Sequence, residues 1–178
     1  MEEIMKMSAP APTNFDADNA DNLEDIEKQF AVKGLCHVVL DVQESYSFEC
    51  AAVQHLETYW AILERVKGSS LRLTKMDDDI YEHLKTEFPE FDPAATINEA
   101  EMKSKAGKER WRKFMMAYEK KVDDYNFGTM LRTSPKVEYE QDTTIFVPRM
   151  QFYAIEIARN RAGLNDWIYE KAHAGDKS

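Results

Sequence analysis

The segment TTIFVPRMQFYAIEIARNRAG (143–163) constrains the fold more than any other stretch of the chain. Its β-branched, apolar start reads as a strand and runs directly into Pro148. Proline has no backbone N–H to give and suits the first turn of a helix, where that donor would go unused. The helix that follows is apolar on more than one side, through Met150, Phe152, Tyr153, Ile155, Ile157 and Ala158. Such a helix is the central element of a small core, and the remaining elements must pack around it. A shorter helix, near Leu164–Lys171, is expected after Gly163.

Those remaining elements can be read in order. Residues 1–20 are rich in Ala, Pro, Asn and Asp and are expected to form a tail. A helix begins near Asp21 or Asn22, with Leu23, Ile26 and Phe30 at helical spacing. Gly34 interrupts it, and LCHVVLDVQESYSFEC reads as a short strand and loop. Helical spacing resumes with Val53, Leu56, Tyr59, Trp60, Leu63 and Val66, and Gly68 ends it. Thr74 with Asp77 predicts a capped helix that Phe88-Pro89 closes. Thr96 with Glu99 predicts a second capping box, opening one long helix to about Tyr125. Trp111, Phe114, Met115, Tyr118, Val122 and Tyr125 form its apolar stripe. Asn126–Gly128 provides a turn, and Thr129–Thr133 and Val137–Val147 have strand-like content. The expected fold is mainly α (α+β): a single small domain of about five helices, with a short antiparallel β-hairpin before a buried C-terminal helix. Its expected limits are 21–172, with a short tail at 173–178.

The bulk properties narrow the function classes. The chain has 178 residues and a net charge of −10. A phosphate backbone needs a basic face, so a nucleic acid is not an expected direct partner. Mean hydropathy is −0.60, and no run of about 18 apolar residues predicts a membrane span. MEEIMKMSAPAP lacks the apolar centre of a signal peptide, and Met7 offers a second start. Two cysteines, Cys36 and Cys50, make no disulfide framework and point to a reducing compartment. No heptad seam extends far enough for a coiled coil, which favours a monomer.

Candidate chemistry is sparse. Asp77, Asp78 and Asp79 suggest clustered oxygens for a cation, yet consecutive helical residues point about 100° apart. The alternatives are a solvated helix start or an acidic patch for a protein partner. His37, His55, His83 and His173 lack the short paired spacing of a zinc site. The adjacent Cys36 and His37 have no third group to orient a base. Glu156 stands with Arg149, Arg159 and Arg161 on the most apolar helix. This reads either as a carboxyl group or anion pocket held by arginines, or as an ion pair that fixes the helix. Gly128 lacks the partners of a phosphate loop. The expected catalytic residues, cofactors and metals are therefore none.

The residues carry one resemblance. DNADNLEDIEKQFAVK (18–33), AVQHLETYW (52–60), LRLTKMDDDIYEHL (71–84), KERWRKFMMAYEKKVDDYNFGTMLR (108–132) and TTIFVPRMQFYAIEIARNR (143–161) resemble the polysaccharide biosynthesis domain-containing protein 1 family, most of all its fungal members. Family members run from a segment like EKQFAVK directly into one like AVQHLETYW. Gly34–Ala51 is thus expected to be an insertion, looped out of the fold. The resemblance implies a cytoplasmic, ATP-independent chaperone, not an enzyme, dedicated to newly made translation elongation factor 1-alpha. It would work at the ribosome with the nascent polypeptide-associated complex and shield the client's emerging GTP-binding domain. On exposure-prone chemistry, the client face is expected near Asp77, Asp78, Tyr81, Tyr125 and Phe127. Charge reversal at Asp77 and Asp78 is expected to leave the fold intact. The alternatives are an enzyme of polysaccharide biosynthesis, of methyltransferase or sugar-transfer type, as the family name suggests, or a ribosome-associated adaptor without chaperone activity.

Overall fold

A computed structural model describes residues 45–177. The expected tail, the helix from Asp21 or Asn22 and residues 34–44 lie outside that range. Six helices and two strands follow in the order α1 (Ser45–Arg65), α2 (Asp77–Glu87), α3 (Glu99–Met102), α4 (Lys105–Met116), β1 (Gly128–Arg132), β2 (Thr144–Pro148), α5 (Arg149–Arg161) and α6 (Asp166–Ala172). The strands pair antiparallel, from Gly128 opposite Pro148 to Arg132 opposite Thr144. The architecture is the expected small α+β domain.

The central helix is where the sequence places it. On α5, Met150, Phe152, Ala154, Ile155, Ile157 and Ala158 are all buried. Tyr59 and Leu63 of α1, Ile80 and Leu84 of α2, Trp111 and Phe114 of α4, and Leu131, Ile145 and Val147 of the strands join them in one cluster. Two of the four orphan N–H groups at the start of α5 are met by the preceding turn: Arg149 donates to the Phe127 carbonyl at 2.6 Å and Met150 to the Tyr125 carbonyl at 2.8 Å. At its far end Gly163 takes φ +69°. Gly163 N–H then reaches the Asn160 carbonyl and Leu164 N–H the Arg159 carbonyl, both at 3.0 Å, closing a Schellman motif. That turn carries Asn165 back beneath the helix, fully buried.

Several expectations are corrected. Ser45–Ala51 is helical and continuous with the rest of α1, neither strand nor loop. The reason is packing: Ala52 is buried against Met130 and Phe146, so the helix lies on the hairpin. α1 ends at Arg65, before Gly68, which begins a 3-10 turn. α2 starts at Asp77 rather than just after Thr74, although the two side chains do meet. The long helix to Tyr125 is two helices. Asn98, not Thr96, caps α3, and Ser104 starts α4 by accepting from Gly107 N–H at 3.1 Å. After Met116 the chain enters turns, in which the Tyr118 hydroxyl meets His83 Nδ1 at 3.0 Å. The strand expected over Val137–Val147 is only Thr144–Pro148, preceded by a 3-10 turn that Glu140 and Thr143 cap reciprocally.

Candidate functional site

The five residues expected on a client face fall into two groups, at opposite ends of α5. Asp77 is buried, and its carboxylate accepts from Leu73 N–H at 2.9 Å, Thr74 N–H at 2.6 Å and the Thr74 hydroxyl at 2.7 Å. It ties the 71–76 loop to α2, so the expectation that charge reversal there spares the fold is corrected. Asp78 is exposed, but Arg161 pairs with it and Arg72 lies 3.4 Å away. The Arg161 guanidinium holds the Asp78 carboxyl below the usual carboxylate range. The Tyr81 ring lies 4.7 Å from each of the Arg161 and Lys85 cationic groups. Tyr125 and Phe127 belong to the turn that caps the opposite end of α5. Thirteen helical residues separate the two groups by roughly 18 Å.

The most polar part of the interior surrounds Glu156, which is 0% exposed, as are Arg132 and Arg159. Its Oε1 accepts from Arg159 at 2.8 Å. Its Oε2 accepts from the Tyr59 hydroxyl and Asn165 Nδ2, both at 2.8 Å, and from Arg132 at 3.5 Å. Burial by itself would raise the Glu156 pKa. The charges of Arg159 and Arg132 and the hydrogen bonds from Arg159 and Tyr59 outweigh it and hold the group below its ordinary value. Burial, then the Glu156 charge, pushes the Tyr59 phenol up, so it stays a donor. Arg132 also donates to Asn165 Oδ1 at 2.6 Å, and Arg159 to the Arg132 carbonyl at 2.8 Å.

Both guanidinium groups are thus committed within the protein, and Glu156 is sealed from solvent. Of the two sequence readings, the geometry favours the ion pair that fixes α5. Arg149 takes no part; it pairs with Asp124 at 2.5 Å. Asn160 joins the network by donating to the Tyr59 hydroxyl at 3.2 Å and accepting from Asn165 Nδ2 at 2.7 Å, and Arg132, Tyr59, Asn160 and Asn165 were not expected in it. The signal available for Arg132 was weak, a lone arginine ending a strand-like run.

The clefts among the described residues include two that open to solvent. The larger, about 370 Å3, lies between the 88–98 loop and α3–α4. Half-buried Phe91, Ile97 and Met102 form its apolar floor, backed by Phe88 and Trp111. Arg110 packs 4.3 Å over Phe88 and pairs with Glu90. Asp92 and Glu101, also on this cleft, meet no cation among the described residues, so its rim is net acidic. The second cleft, about 300 Å3, lies between α1 and Glu138-Tyr139. Among the described residues no group of three or more His, Cys, Asp or Glu could hold a metal ion. No helix there is long and apolar enough to cross a membrane.

Comparison with known proteins agrees with this small α+β domain. The PBDC1 protein family matches residues 42–170. A Protein PBDC1 homolog of Schizosaccharomyces pombe is 57% identical over 159 residues, covering 88% of this chain and 96% of the relative. A Protein PBDC1 homolog of Saccharomyces cerevisiae is 53% identical, covering 88% and 97%. The solution NMR structure of protein yst0336 from Saccharomyces cerevisiae, 54% identical, superposes with a TM-score of 0.64 over 87% of this chain and 96% of that one. The chain belongs to the PBDC1 family, the family its sequence resembles.

Proposed function

We propose that this chain is a cytoplasmic, ATP-independent chaperone for newly made translation elongation factor 1-alpha. It binds the client's GTP-binding domain at the ribosome, alongside the nascent polypeptide-associated complex, and holds it until it folds. Membership of the PBDC1 family supports the reading, through what the sequence resemblance implies. The observation that carries it is the larger cleft. An unfolded segment offers apolar side chains beside backbone and charge, and the floor of Phe91, Ile97 and Met102 suits the first while Asp92 and Glu101 attract basic flanks. With a net charge of −10, the whole chain adds long-range attraction toward a basic client.

The test is client protection in a reconstituted translation reaction. Purified chain is expected to keep nascent elongation factor 1-alpha out of aggregates, and a variant carrying Phe91→Ala, Asp92→Lys and Glu101→Lys to lose most of that protection. Equal protection by the variant would move the client site off this cleft. No protection by either protein would end the chaperone reading.

A further inference from the structure

We propose that the second cleft is a receptor for lysine or arginine side chains on a basic segment of a partner polypeptide. Trp60 and Tyr139 wall it, with ring centroids 5.9 Å apart at an interplanar angle of 74°. Glu57 and Glu64 stand on the same lining, two helical turns and roughly 10 Å apart along α1. Glu64 accepts from the Trp60 indole N–H at 3.1 Å, which fixes that ring. Glu138 lies across the cleft and is paired with Lys171. Neither Glu57 nor Glu64 pairs with a cation among the described residues, which leaves about two negative charges on the cleft unanswered.

The fold already shows what these rings accept. The Arg132 guanidinium lies 5.6 Å from the Trp60 centroid and 5.6 Å from that of Tyr139, on the interior side. Electron-rich rings held rigid beside carboxylates are the general chemistry of cation recognition. The buried network behind them carries one net positive charge, from Arg132, Arg159 and Glu156. The cleft carboxylates exceed it and stand nearer an incoming cation. A metal ion does not fit: carboxylates about 10 Å apart cannot share one ion, and aromatic walls offer no hard oxygen donors. An ammonium or guanidinium on an aliphatic stem fits both features, laying its methylene groups on Trp60, Ala61 and Leu56. Glutamates two turns apart favour a segment with successive basic residues over a single small amine.

The proposal stands apart from the chaperone reading and is tested without ribosome or client. The 15N-labelled full chain is titrated with an acetylated, amidated ten-residue peptide of alternating Lys and Gly, and with its Glu counterpart. The Trp60 indole N–H resonance is expected to move with the basic peptide only, and to saturate at lower peptide concentration than any shift of Trp111, at the other cleft. Glu57→Lys with Glu64→Lys should weaken binding about tenfold, and Glu57→Gln with Glu64→Gln by a smaller factor. Both positions are exposed, and an unchanged Trp111 resonance reports that the variants fold. A static Trp60 resonance, equal binding of the acidic peptide or wild-type affinity in the charge-reversed protein would each overturn the proposal.

Discussion

Replacing Glu156 with Gln changes almost no volume and removes one charge from a site with no access to water. Arg132 and Arg159 would then face each other uncompensated, both at 0% exposure. Removing one partner of a buried pair costs about 3–5 kcal/mol, because the remaining charge stays buried. With an unfolding entropy of roughly 2.1 cal/mol/K per residue over a domain of about 130 residues, that loss lowers Tm by roughly 11–18 °C. The assay is urea unfolding followed by circular dichroism, with Glu170→Gln as the surface control. Glu170 pairs with Lys67 at 3.4 Å in the open, and its loss should cost less than ~0.5 kcal/mol. The pH dependence supplies a second signature. The Glu156 pKa is depressed in the folded state, so its contribution is complete above the unfolded carboxyl value and lost as pH falls through the folded one. Glu156→Gln should therefore flatten part of the acid limb of the stability profile. A Glu156→Gln protein within ~1 kcal/mol of the parent would refute the claim that this ion network anchors α5.

Other outcomes follow from the same geometry. Asp77→Ala should cost about 1–3 kcal/mol, since it strands the Leu73 and Thr74 donors, whereas Asp78→Ala should leave the urea midpoint unchanged. Gly128→Ala would drive a methyl group into the Phe146 ring and should destabilise by about 1–3 kcal/mol, with Phe146 resonances displaced. His55 is lowered to about 4, first by burial and then by the Arg149 charge, so its ring carbon shifts should titrate near pH 4. Because that folded value lies below the unfolded one near 6.5, its contribution to stability is full above pH 6.5 and declines toward pH 4.

How much the sequence disclosed depended on whether a side chain's role was local. α5 was legible because its apolar residues stand on more than one side and Pro148 fixes its start. The hairpin was legible because β-branched residues flank a turn. The break at Ser104 was missed because its cap reads Ser-x-x-Gly, without the glutamate that completes a capping box, and the helical spacing continues through it. The end of α4 was missed for a similar reason. Tyr118 keeps the phase of the stripe while the backbone turns to place Tyr125 and Phe127 against the start of α5. Arg132 could not have been foreseen as the partner of Glu156, because the pairing of β1 with β2 and the packing of both on α5 bring them together across 24 residues. Asp77 was legible as the capping-box partner of Thr74, from whose N–H its carboxylate accepts, whereas its burial and its bond from Leu73 N–H were not, so its place in an acidic surface patch was misjudged. The second cleft joins segments distant in sequence, and the larger, although lined by residues 88–111 alone, depends on how the 88–98 loop folds back on α3 and α4, so no local pattern announces either.

The central claim is tested most directly with ribosomes stalled at successive lengths of elongation factor 1-alpha, incubated with the purified full chain. The account predicts capture once the GTP-binding domain has emerged unfolded, and release when that domain completes folding and binds GTP. Absence of capture at every length, or equal binding to the folded GTP-bound factor, would contradict it.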